Sequence, residues 1–164
     1  MDFSITVALA HPPPVVQDAF LDPDFLAITG TLPKIGGAEV LELTRTDTTA
    51  RVRIRYRFTA PLNKAVTRVI DPQKLTWVDD ATYDLAHLRS EHTLLPDNYA
   101  DRLESSYVST VRPDGPGSIW DVTGSLVVHA PLVGGKVAGV IVDGLREHAV
   151  AQGRTLDEWL TRTT

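Results

Sequence analysis

Asp79, His92 and Ser105 are the residue types of a proton relay: a carboxylate to orient an imidazole, and an imidazole to take a proton from a hydroxyl. Their spacing brings them together if they lie on three consecutive antiparallel strands. A turn at Leu85-Ala86 pairs Tyr83 with Leu88, Ala81 with Ser90, Asp79 with His92 and Trp77 with Leu94. A turn centred on Asn98-Tyr99 pairs Leu94 with Leu103, His92 with Ser105 and Ser90 with Tyr107. Directly opposed residues have Cβ atoms about 4.5–5.5 Å apart, so the three would form a polar row on one sheet face. Ser105 lacks a Gly-x-Ser-x-Gly elbow and an evident oxyanion hole, which makes covalent catalysis the weakest reading. Two others stay open: the row hydrogen-bonds a ligand, with His92 passing a proton, or Asp79 and His92 merely satisfy each other.

Aromatic residues share that face. Tyr56, Trp77, Tyr83, Tyr107 and Trp120 either line a pocket for a flat or greasy molecule or fill the space as core. Tyr56 and Tyr107 matter most, because a buried phenol needs a partner. Arg51, Arg53, Arg55 and Arg57 look like a phosphate comb, yet strict alternation with Val52, Ile54, Tyr56 and Phe58 marks them as a solvated face, with Arg53 near Asp80. Asp79 and Asp80, adjacent on a strand, point to opposite faces and are no carboxylate pair. His11, His87, His92, His129 and His148 share no metal spacing, so neither a metal nor another cofactor is expected.

The elements needed to position these residues are legible. Residues 2–10 alternate as a half-buried strand, His11-Pro12-Pro13-Pro14 ends it, and short helices follow at 15–21 and 24–28. Strands are predicted at 38–45 and 51–60, joined at Asp47-Thr48 so that Leu43 faces Val52, Leu41 faces Ile54 and Glu39 faces Tyr56. After a connection with a helical turn at 64–69, four more strands run over 75–83, 88–95, 102–112 and 118–130, the last two joined by Pro113-Asp114-Gly115-Pro116-Gly117. Apolar or bulky residues then recur at Val133, Val137, Val140, Ile141, Leu145, His148, Leu156, Trp159 and Leu160, one face of a helix reaching about residue 161. Gly139, Gly144 and Gly153 weaken that helix and are expected to leave room beneath it.

Composition bounds the function. A chain of 164 residues, 43% hydrophobic and 23% charged, is expected to form one domain, 1–164, with a sizeable core. A net charge of −5 argues against nucleic-acid binding and against an anionic membrane surface. There is no cysteine, which excludes disulfides and thiolate chemistry and fits a cytoplasmic protein. No signal peptide or membrane span is read, so stable membrane insertion is not expected.

The order strand, two short helices, six strands, long helix is the helix-grip order. With the alternating first strand, the run Val127-Val128-His129-Ala130 into Pro131-Leu132-Val133-Gly134-Gly135-Lys136, and the late Trp159-Leu160, the chain resembles the START-like, Bet v 1-like (SRPBCC) superfamily over nearly its whole length. Within it the chain is similar to a group of unknown function common in actinobacteria. Lys136 is often followed there by an apolar residue and Glu; here Val137 and Ala138 follow. The resemblance implies an α+β fold, a curved antiparallel sheet of about seven strands around the C-terminal helix, with a cavity between them. It implies a carrier of a lipid-like or aromatic hydrophobic molecule, or a cyclase/aromatase- or hydratase-like enzyme exchanging protons through cavity polar groups. A filled core, with the protein acting through its surface or as a homodimer, is the remaining alternative. Expected ligand contacts are Tyr56, Trp77, Asp79, His92, Tyr107, Trp120, Gly124, Val137, Ile141, Leu145 and His148.

Overall fold

Phe3, Ile5, Val7 and Leu9 are buried while the residues between them are exposed, the burial pattern of a strand with one face on a core. In the computed structural model, which describes residues 1–163, this strand β1 (Asp2–Leu9) is followed by α1 (Pro13–Phe20) and α2 (Pro23–Thr29). Proline opens both helices, and Asp22 caps α2 by accepting from the Asp24 amide at 2.9 Å. Then come β2 (Ile35–Arg45), β3 (Thr49–Phe58), a helical turn α3 (Lys64–Thr67), β4 (Thr76–Asp84), β5 (Arg89–Pro96), β6 (Leu103–Asp114), β7 (Gly117–Val128) and α4 (Gly134–Thr163). Thr164, the last residue of the expected domain, lies outside the described residues.

The strands form one antiparallel sheet in the order β1-β7-β6-β5-β4-β3-β2. Buried residues alternate along them as expected: Val52 and Ile54 on β3, Trp77 and Ala81 on β4, Ser90, His92 and Leu94 on β5, Trp120, Val122 and Leu126 on β7. Arg51, Arg53 and Arg55 of β3 lie on the other face, in ion pairs: Arg51 and Arg53 with Asp80 at 2.9 and 3.6 Å, Arg55 with Asp97 at 3.0 Å.

Pairing departs from expectation by two residues in both central hairpins. The β4–β5 connection spans residues 85–88; Asp84 accepts from the His87 amide, and Leu88 takes a positive φ of 53° instead of beginning the strand. Asp84 therefore pairs with Arg89, Tyr83 with Ser90, Ala81 with His92 and Asp79 with Leu94. At β5–β6 the longer connection places Tyr99 at φ 59°, where its carbonyl accepts from Arg102 and Leu103 and its hydroxyl from Asp71. Leu94 thus pairs with Ser105 and His92 with Tyr107. In β2–β3 the pair Leu43–Val52 holds, but a bulge between Val40 and Glu42 sets Val40 against Ile54 and Glu39 against Arg55.

The glycines of α4 do not leave room; they allow contact. A Cβ on Gly144 would lie 2.6 Å from Cε2 of Phe58, and one on Gly153 would lie 2.5 Å from Cγ1 of Val7. The helix lies against the sheet through these points, with Val137 and Leu156 almost completely buried. The apolar core is split. One cluster joins β1, β7, α1 and α4; a smaller one, Leu21, Leu26, Ala50, Val52, Ile54 and Ala81, lies between the short helices and β3–β4.

Candidate functional site

A cavity of about 110 Å³ opens where the two apolar clusters meet. Phe20, Ile35, Trp77, Leu94 and Trp120 face it from one cluster, and Leu26, Val52, Ile54 and Ala81 from the other. Leu145, His148 and Gln152 of α4 complete the wall, three positions that share a helix face. The polar lining comes from alternate positions of β3 to β6: Tyr56, Asp79, Tyr83, His92, Tyr107 and Ser109.

The new register creates a different constellation from the expected row. His92 stands opposite Ala81, and the small methyl leaves the imidazole free to reach diagonally to Asp79, with Nδ1 3.0 Å from Oδ1. Tyr107, directly across from His92, stacks on the imidazole at 4.2 Å and 14° and donates its hydroxyl to Oδ2 of Asp79 at 2.6 Å. Ser90, two residues before His92 and therefore on the same strand face, has Oγ 2.8 Å from Nε2. A carboxylate only accepts, so Nδ1 carries the hydrogen toward Asp79; in the neutral ring Nε2 then accepts from Ser90.

This is Ser90–His92–Asp79 connectivity, with Ser90 in the place that the sequence suggested for Ser105. Ser90 is 3% exposed and does not line the cavity, so no substrate reaches its hydroxyl. Ser105 faces Leu94 and Leu126 and donates to the Ser125 carbonyl at 2.9 Å, apart from the histidine. The signal for Ser90 was the i, i+2 spacing to His92, which holds for any register.

Burial raises the pKa values of Tyr56, Tyr83 and Tyr107, and the negative charge of Asp79 adds to each. The phenols therefore remain hydrogen-bond donors at neutral pH. Tyr107 is committed to Asp79. Tyr56 is loosely held, 3.4 Å from Oγ1 of Thr29, whose own hydrogen goes to the Leu26 carbonyl at 2.6 Å. Trp120 donates to Oγ of Ser109 at 2.8 Å. Burial also lowers His148 to about 4, opposed in part by its bond to the Pro33 carbonyl.

Of the ligand contacts expected from sequence, Tyr56, Trp77, Asp79, His92, Tyr107, Trp120, Leu145 and His148 line the cavity. Three do not. Val137 and Ile141 belong to the packed end of α4, where Ile141 meets Phe58, Leu75, Trp77, Leu94, Leu103 and Leu126 around only about 10 Å³ of space. Gly124 lies against the backbone of Ser106 and Tyr107, where a Cβ would collide with the Ser106 carbonyl and the Tyr107 Cβ. Its role is close strand approach, and Gly124→Phe would disrupt β6–β7 instead of plugging the cavity. Gln152, overlooked from sequence, was findable as the i+4 neighbour of His148.

No helix among the described residues is long and apolar enough to cross a membrane. A seven-stranded antiparallel sheet closed over a long C-terminal helix, with two short helices after the first strand, defines the helix-grip, Bet v 1-like fold. Solved structures agree over the full chain. A protein of Thermus thermophilus, TTHA0849, matches with a TM-score of 0.72 at 18% identity, covering 100% of this chain and 99% of that one. The Zhui aromatase/cyclase of Streptomyces sp. R1128 matches at 0.67 and 17%, covering 99% and 94%, and Ara h 8.0201 at 0.62 and 15%, covering 99% and 98%. No curated protein matches the chain by sequence. Residues 4–160 match the model of the family described as protein of unknown function (DUF2505), and the chain belongs to that family.

Proposed function

We propose that the protein binds a small, largely apolar, ring-bearing molecule in the cavity between the sheet and α4. The observation that carries this is the cavity itself: about 110 Å³, walled by aromatic and aliphatic side chains, with polar groups from both the sheet and α4. An apolar protein cavity of roughly 150 Å³ admits benzene, so this somewhat smaller space holds at most about one ring. Fatty acids, sterols and multi-ring polyketides call for pockets of about 300–1,000 Å³ and would have to part the two apolar clusters. The lipid-carrier reading is accordingly narrowed to ligands of about one ring.

The test is titration of isotopically labelled protein with toluene at millimolar concentration, with a fatty acid and a sterol in parallel. Resonances of Ala81, Leu145 and Ile54 are expected to shift with toluene and not with the larger compounds. Unmoved cavity resonances would leave the filled-core reading standing.

A second reading, proton exchange on a bound substrate, draws on the Asp79–His92 and Asp79–Tyr107 bonds and on the likeness to an aromatase/cyclase. It requires solvent deuterium to enter a small ring ketone at the carbon beside its carbonyl, and that exchange to be lost in Asp79→Asn.

A further inference from the structure

Two polar groups of α4 face the cavity with hydrogen-bonding capacity that no protein partner among the described residues takes up. His148 is 7% exposed, and its Nδ1 lies 3.3 Å from the Pro33 carbonyl oxygen. That oxygen only accepts, so Nδ1 holds the hydrogen and Nε2, on the other edge of the ring, presents a lone pair. Among the described residues no donor bonds to Nε2, although His148 lines the cavity. Because burial holds this histidine near 4, its ring is neutral at physiological pH and Nε2 acts only as an acceptor. Gln152, one turn further along the same helix face, also lines the cavity, and its amide has no hydrogen bond among the described residues.

Neither atom is fully enclosed and Gln152 is half-buried, so both are open to a hydrogen-bonding group that a ligand brings into the cavity. Charge narrows that group. Asp79 is the carboxylate on the lining and, among the described residues, no lysine or arginine shares it; Arg51, Arg53 and Arg55 of β3 point away, toward Asp80 and Asp97. His92 is engaged at both nitrogens. An anionic head group would therefore meet Asp79 and no free cation. A hydroxyl on a neutral ring does what both open groups require, because it donates and accepts at one atom.

We propose that the ligand is a neutral phenol-class ring whose hydroxyl donates to Nε2 of His148 and accepts from the amide of Gln152. This rests on the cavity-binding reading above and narrows it. The experiment titrates the full chain with phenol, toluene and benzoate, following cavity resonances and the side-chain nitrogen signals of His148. Phenol should bind on the order of tenfold more tightly than toluene, as one well-placed buried hydrogen bond allows, and benzoate should not bind measurably. Phenol, not toluene, should shift the Nε2 signal. His148→Phe and, independently of any folding defect there, Gln152→Leu should each erase the preference for phenol while toluene still binds. Toluene binding as tightly as phenol, benzoate binding more tightly, or a preference surviving both substitutions would overturn the phenol assignment and leave the cavity reading intact. If neither phenol nor toluene binds, both fall.

Discussion

Asp79 holds the polar side of the cavity together, since His92 and Tyr107 each direct a hydrogen bond to one of its oxygens. Removing either partner leaves a largely buried carboxylate oxygen unpaired, which costs about 1–3 kcal/mol. Tyr107→Phe should accordingly lower the unfolding free energy in urea by that amount, although the ring and its stacking on His92 are kept. His148 sets a separate dependence on pH. Its usual pKa is 6.5 and burial lowers it to about 4, so the unfolded chain takes up a proton that the folded one refuses. The sign follows: stability is full above 6.5, falls by about 1.4 kcal/mol per pH unit on acidification, and levels off below 4. The total is about 3 kcal/mol. Urea midpoints at pH 7 and pH 4.5 should converge more in His148→Phe than in the parent protein. An equal acid loss in both would assign the dependence to other groups.

At the scale of the element, α4 is long and carries internal glycines that by propensity alone each weaken it by about 1 kcal/mol. Their surroundings distinguish them. At Gly144 and Gly153 an added methyl would enter the Phe58 ring and the Val7 side chain, whereas at Gly139 the nearest atom would be Cε of Met1 at 3.8 Å. Gly139→Ala should raise stability by about 0.5–1 kcal/mol, the helix-propensity gain. Gly144→Ala and Gly153→Ala should lower it by about 1–3 kcal/mol through overpacking, despite the same gain. Thermal melts of the three variants separate the cases; a uniform rise would mean that the helix does not lie on the sheet at these points. The connections are elements too. The turn at Asp84–Leu88 decides which residue faces His92, because its length sets the register of β5 on β4.

For the whole molecule, α4 covers one face of the sheet, and its Val137, Ile141, Val142, Leu156 and Leu160 are all buried in the core. A fragment ending at residue 133 would expose that face, far beyond the few hundred Å² of apolar surface a soluble monomer tolerates, and should show no cooperative melt. The cavity can also be blocked from its apolar wall. Ala81 is 2% exposed and lines it opposite His92. Ala81→Leu should abolish ring binding in the NMR titration, at an overpacking cost of about 1–3 kcal/mol that leaves the protein folded at room temperature. Binding that survives the substitution would place the ligand elsewhere.

What was legible from sequence is what local periodicity controls. Alternation in β1, β3 and β7 marked the buried face, and the recurrence of apolar residues after Gly134 marked α4, because burial repeats with the geometry of a single element. Tyr56, Trp77, Asp79, His92, Tyr107, Leu145 and His148 could therefore be assigned inward without knowing their neighbours. Neighbours were decided by tertiary structure. A shift of two residues preserves every inward and outward assignment, so the hydrophobic pattern cannot detect it, yet it exchanged Ser105 for Tyr107 and Asp79 for Ala81 opposite His92. The glycines of α4 were ambiguous for the same reason. A missing side chain leaves space or permits contact according to what lies opposite, and only the packing of Phe58 and Val7 against the helix determined which.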